Sequence, residues 1–364
     1  MNSRERVFTA LRFERPDRAP IDFWASRRFK RKLEKALGLP LKRFLDANDV
    51  DLRYIEGPAY IGPPLRQFAD GSEADIWGVR RRMVEVPAEG GAAESYEEVE
   101  NSPLAGALSP EDVDAYDGWP SPDGFDYSDI ERQCDDVRAE SRVAVFMGDR
   151  LNRVAQLKPA MYLRGIENIL VDLSLNPEIA AAIIRHIRDF YLAYTERIID
   201  AAHGKLDILL TGDDFGSQNA PLISPAMWEQ FLGDGFGRYV QLATSNGIKV
   251  MHHTCGAVCP IIPLMVARGL DILQSVQPEA DGMDSASLKR EFGARLAFQG
   301  GISIQRTMPF GSAADIHREV QDRMATLGAG GGYILCTSHN IQADTPVAQV
   351  LELFKAYHRY GRYD

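Results

Sequence analysis

From about residue 206 onward one pattern recurs along the chain: a short apolar run, a polar turn, then a capped helix. Strands alternating with helices at this spacing pair in parallel and need helices to cover them, so few architectures remain. LDILLTG leads into SPAMWEQFLGDGFGRYVQLATSNG, where Ser224 is placed to cap, Pro225 suits the first helical position and Asn246-Gly247 closes the helix. IKVMHHT precedes VCPIIPLMVARG, and DILQSVQ precedes a helix beginning near Asp284. ARLAFQG precedes SAADIHREVQDRMATLG, with Ser312 and Asp315 spaced as a capping box, and YILCTSH precedes TPVAQVLELFKAYHRYG, with Thr345 and Pro346 at its start. APIDFW (19–24) and RVAVFMG (142–148) add two earlier strands, the second followed by a long helix from Asn176-Pro177 to about His203-Gly204. Seven such units favour a closed barrel of eight over an open doubly wound sheet. The expected fold is α/β: a single (β/α)8 TIM barrel over residues 1–364. Residues 50–135 break the rhythm with Pro, Gly and acidic clusters (EVPAEGGAAESYEEVE), and DIWGVRRRMVEV alternates like a hairpin. That stretch reads as an irregular insertion at the barrel mouth.

Composition narrows the function classes. Lys and Arg number 41 against 52 Asp and Glu, a net charge of −11, the wrong sign for a chain that gains affinity by neutralising phosphates. No nucleic-acid partner is expected. No apolar run is long enough to span a bilayer, and the opening MNSRERVFTALRF carries charge where a signal peptide needs apolar residues. The expectation is a cytoplasmic enzyme, or a binder without turnover, that takes a small molecule, as a monomer or homodimer, without a membrane partner. Four cysteines (Cys134, Cys255, Cys259, Cys336) are too few for a disulfide framework, which leaves them available for metal or redox chemistry.

The segment KVMHHTCGAVC is the most informative for chemistry. An apolar strand ends in His252, His253, Thr254 and Cys255, and because side chains alternate, His253 and Cys255 project to the same side. One imidazole and one thiolate make half of a zinc site. The last strand, YILCTSHNIQADTP, also ends in ligand types, Cys336 and His339. In a barrel all strand C-termini converge on one mouth, so a third ligand can come from there: His339 first, Cys336 as the alternative. Cys259 and Cys134 read as core thiols. LLTGDDFGSQNAPLISP runs a buried strand into Asp213 and Asp214. One of them either caps a turn or pairs with an arginine, or else serves as general acid or base, as a hydrogen-bond partner to a ligand histidine, or as a fourth ligand. Trp24, Phe215, His252, Gln277 and Gln299, near other strand ends, are candidate substrate-binding residues. GAGGG (328–332) precedes a strand rather than a helix, so it is a loop and not a phosphate cradle. Arg80, Arg81 and Arg82 read as a solvated basic face of the hairpin, or as a site for an anion.

RERVFTALRFERPDRAPIDFW, GDDFGSQNAPLISPAMWEQF, HHTCG and HNIQADTP, in this order, resemble stretches of the uroporphyrinogen decarboxylase superfamily, which includes zinc-dependent, corrinoid-linked methyltransferases. In that branch HxCG supplies two zinc ligands, which the resemblance carries to His253 and Cys255. The third ligand of the branch, a cysteine ahead of a Pro-bearing helix start, falls here on His339, with Cys336 three residues earlier. The resemblance therefore implies Zn2+, a corrinoid on a partner protein, and methyl transfer to or from a small thiol, ether or similar substrate. The alternative it implies is cofactor-free decarboxylation of a tetrapyrrole or another acidic substrate. The decarboxylase's arginine-rich N-terminal motif is represented only by Arg27 and Arg28 in PIDFWASRRFK.

Overall fold

The computed structural model describes residues 1–86, 94–148 and 153–363. Its strands are β1 (Leu52–Ile55), β2 (Ala59–Tyr60), β3 (Arg80–Val86), β4 (Glu94–Asn101), β5 (Phe125–Asp126), β6 (Val143–Phe146), β7 (Ile208–Gly212), β8 (Lys249–His253), β9 (Ile272–Val276), β10 (Ala297–Ile302) and β11 (Tyr333–Thr337). A seven-stranded sheet runs β1-β6-β7-β8-β9-β10-β11, every pair parallel. Helices intervene between the strands from β6 onward, as the alternating pattern requires. The sheet curls so that both edges reach one extended segment. Leu335 N donates to Pro20 O and Asp22 N to Leu335 O on one side, while Asp51 N, just ahead of β1, donates to Ile21 O on the other. The expected strand over 19–24 makes only isolated bridges, at Ile21 and Ala25, rather than a ladder. Pro20 removes one of the amide donors such a ladder would need.

The helix punctuation follows the sequence closely. Ser224 caps Pro225–Phe231, Asp284 caps Ser285–Phe292, and Ser312 with Asp315 forms a capping box on Ala313–Ala325. Thr345 does not cap the last helix, whose cap position is Pro346 with no side-chain bond. The long helix spans Pro177–Ala201.

Strand alternation sorts the core into two regions. Leu52, Val143, Val145, Ile208, Leu210, Met251, Ile272, Ala297 and Ile334 form the inner cluster, closed at the strand starts by Val7 and Leu11 of the first helix. Their neighbours in sequence, such as Leu209, Val250 and Leu273, pack outward against the helices. The same alternation puts Met251 and His253 inward on β8, with Val250 and His252 outward.

Within the irregular stretch 50–135, β1 belongs to the main sheet, and β3 and β4 form an antiparallel hairpin. Part of the acidic run, residues 87–93, lies outside the described residues. The three arginines are not one solvated face. Arg80 pairs with Asp70 and Glu100, and Arg82 with Glu98, but Arg81 is buried beside Asp75 and packs over the Tyr162 ring at 4.4 Å. No helix among the described residues is long and apolar enough to cross a membrane.

Candidate metal centre and its cavity

The end of β8 and the loop after β11 meet at the strand C-termini. Among the described residues, His253, Cys255 and His339 each offer a ligand atom, and these atoms all lie within 4.8 Å of one another. Cys255 Sγ is 3.4 Å from His253 Nε2, and the two histidine rings stand 5.4 Å apart, edge to face. His253 Nδ1 lies 2.9 Å from Gln274 Oε1 on the neighbouring strand β9, a carbonyl that can only accept. With its proton on Nδ1, the lone pair of Nε2 would face the cluster. His339 sits just past the strand, its carbonyl accepting from Thr337 Oγ1 at 2.7 Å.

The ionisation of these groups suits a cation. Burial pushes His253 below the ordinary imidazole value and His339 down to about 4, so both are neutral donors at pH 7. Burial and the nearby Asp214 carboxylate push the Cys255 thiol well up, which makes a positive charge the natural means of drawing out its thiolate. Two imidazoles and one sulfur, with a partner fixing one imidazole, form the donor set of a three-protein-ligand zinc site.

The two adjacent acids divide their work. Asp213 is 2 % exposed, and its oxygens accept from the backbone amides of Gln156 (2.6 Å), Leu157 (2.8 Å) and Lys158 (2.7 Å). These bonds anchor the start of the helix Leu157–Arg164 and take up both Asp213 oxygens. Burial nevertheless pushes its carboxyl up to about 6, against the pull of those amides. Asp214 faces the cluster: Oδ1 lies 3.4 Å from both His253 Nε2 and the Cys255 amide, and Oδ2 pairs with Lys158 Nζ. Burial raises its carboxyl, but the neighbouring His253 ring and Lys158 ammonium hold it well below the usual range.

A cavity of about 200 Å³ opens onto the cluster, lined by Trp24, Trp77, Arg153, Ala155, Lys158, Pro159, Tyr162, Tyr191, Gly212, His253, His339 and Asn340. Trp24 packs on both histidines, its ring centre 5.0 Å from each. Of the five substrate-binding candidates only Trp24 lines this space. Phe215 and His252 stack on each other at 5.4 Å among Trp228 and Phe236, in the layer between sheet and helices. His252 points outward because its neighbour His253 points inward, and its Nδ1 bonds Thr211 Oγ1 at 2.8 Å. Gln299 lies fully buried inside the sheet, donating to Asp22 Oδ2 at 2.8 Å, and Gln277 ties Gly256 N to Gln218. Cys336 is buried outside the ligand cluster, and Cys134 is a buried core thiol; Cys259 is only half-buried.

A profile of the uroporphyrinogen decarboxylase (URO-D) family matches residues 154–360, more than half of the chain. The chain belongs to this family. Among solved structures, a methyltransferase from Methanosarcina mazei superposes with a TM-score of 0.68 at 17% identity, covering 99% of each chain. A 3-keto-D-glucoside 4-epimerase from E. coli reaches a TM-score of 0.41 at 14% identity over 64% of this chain and 85% of its own. No curated protein matches. The family profile spans the cluster but begins after Trp24, Trp77 and Arg153, which complete the cavity wall. Sequence reasoning missed Arg153, Lys158, Trp77, Tyr162, Tyr191 and Asn340. Only the position of Asn340, beside His339, was a usable signal, since the others come from loops and helices without periodic pattern.

Proposed function

We propose that this URO-D family member is a zinc-dependent methyltransferase that moves a methyl group between a corrinoid carried by a partner protein and a small thiol, ether or similar substrate. The observation that carries the reading is the meeting of His253, Cys255 and His339, with both histidines on the wall of one cavity. Those three residues would hold the ion, with His339 rather than Cys336 as third ligand. Zinc with three protein ligands supplies a Lewis acid and an open position that favour a substrate's thiolate form or polarise an ether oxygen.

The chain's own groups do the rest. Gln274 keeps the His253 proton on Nδ1, so Nε2 remains a donor to the centre. Asp214, held ionised by Lys158, sets a negative charge beside His253 and steadies the Cys255 amide, which makes it a positioning residue. Trp24 fixes the planes of both histidines and walls the substrate away from water. The reading takes the sheet as a ring of eight, closed through the segment around Ile21, with its open mouth receiving the corrinoid protein in the cytoplasm. The whole chain is taken as one domain, with the hairpin region of 50–135 at that mouth. The overall likeness to the Methanosarcina methyltransferase supports this choice within the family. Cofactor-free decarboxylation has less support, since Arg27 and Arg28 are exposed and absent from the cavity wall.

Metal analysis of the purified chain tests the proposal. Wild type is expected to carry one zinc per chain, while Cys255→Ser and His339→Ala each carry much less. The zinc-loaded wild type is expected to demethylate methylcobalamin in the presence of a small thiol, and chelation should abolish that activity. Negligible zinc in all three proteins would overturn the reading. Loss in Cys255→Ser with full retention in His339→Ala would transfer the third position to Cys336.

A further inference from the structure

Arg153 is the one cavity-lining cation that the described residues leave without an anion. Lys158, also on the wall, is matched by Asp214. Around Arg153 no carboxylate among the described residues lies within ion-pair distance. Among the described residues its Nη2 reaches only Met147 Sδ, at 3.4 Å, and its Nε is buried without a partner. Its guanidinium carbon lies 5.7 Å from the Trp24 ring centre, and Trp24 is the residue that packs on His253 and His339. Burial without a bonded anion pulls the Arg153 guanidinium below its ordinary value, the reverse of Arg6, which two carboxylates hold above it. A buried cation is costly unless paired, and a guanidinium fork is shaped to accept two parallel bonds from a carboxylate.

We infer that Arg153 is a specificity-determining residue that binds an anionic oxygen group of the substrate, a carboxylate in the first instance, across Trp24 from the His253–Cys255–His339 cluster. The inference rests on reading this cavity as the substrate site. It adds that the substrate is a small monoanion: one unmatched positive charge faces the space, and about 200 Å³ admits only a few heavy atoms beyond the reacting group. Gly212 makes room for this arrangement. A Cβ there would come within 2.6 Å of Arg153 Cδ and 3.1 Å of His253 Cβ, so a side chain at 212 would displace the guanidinium from the wall.

Titration calorimetry of the full chain with mercaptoacetate and with mercaptoethanol tests this, since the pair shares a thiol and nearly the same length and differs in charge. Wild type is expected to bind mercaptoacetate about tenfold or more tightly than mercaptoethanol. Arg153→Gln should erase that preference while leaving the affinity for mercaptoethanol within about twofold. Arg153→Lys, which keeps the charge but loses the fork, should retain part of it. Because a substrate-facing cation is not a folding contact, Arg153→Gln should melt no lower than wild type, and acetate should raise the melting temperature of wild type but not of the variant. Equal affinity of wild type for the two thiols, or a preference that survives in Arg153→Gln, overturns the inference. Chelation separates this from the metal reading: stripping zinc should weaken both thiols alike and leave their ratio unchanged. If chelation has no effect on either thiol, the metal reading fails while the ratio still reports on Arg153.

Discussion

Neighbouring side chains in this protein do unlike things because alternation and local bonding send them to different places. Asp213 and Asp214 differ by one position, yet one is consumed by three helix amides and the other faces the His253–Cys255–His339 cluster. Asp213→Ala would leave those amides without their acceptor, a loss of about 2 kcal/mol or more. A thermal melt should show it as a clear drop, while the folded fraction still takes up metal. Asp214→Ala should do the opposite, weakening zinc uptake with a smaller change in the melt. The pair His252 and His253 repeats the lesson. Sequence alone grouped His253 with Cys255 from the strand's period of two and offered His339, with Cys336 as the alternative, from barrel convergence. It could not tell which acid a helix would claim, because the helix Leu157–Arg164 is remote in sequence and its amides leave no mark in composition.

At the scale of elements, the parallel ladder does chemical work. His253 on β8 pairs in register with Gln274 on β9, and the Gln274 side chain orients the His253 ring. Gln274→Ala should leave the fold intact and weaken zinc binding by about 10- to 100-fold, measured by competition with a chromogenic chelator. Retention of full affinity would show that the ring is oriented by Trp24 packing alone. All five βα units after residue 206 were readable, because amphipathic helices with Ser, Asp and Pro at their starts announce themselves. The segment around Ile21 was readable as extended, but its isolated bridges were not, since hydrogen bonding depends on which partner edge lies opposite. The role of Trp77 was also hidden: it sits in a turn of the irregular stretch, and packing against Phe190 and Tyr191 of the long helix and against Trp119 holds it to the cavity.

Across the whole molecule, charge pairs tie the first helix to the sheet. Arg6 bonds Asp17 at 2.7 Å and Asp51 at 2.7 Å, and the Arg6 hydrogen bond holds the Asp17 carboxyl far below its ordinary 3.8. A depressed acid contributes stability above its unfolded value and loses it as protons are forced on, so this contribution is present above about pH 4 and fades as the pH falls further. The melting-temperature gap between wild type and Asp17→Asn should accordingly be widest near neutrality and close in acid. A gap independent of pH would mean that shape, not charge, makes this contact. The meeting of distant chain ends has a different kind of outcome. Ile21 bridges Leu335, and Trp24 lies against His339. During synthesis the indole of Trp24 leaves the ribosome long before His339, one of the two rings it packs on. A nascent chain stalled before residue 333 therefore holds Trp24 and His253 without the third ring that completes their packing.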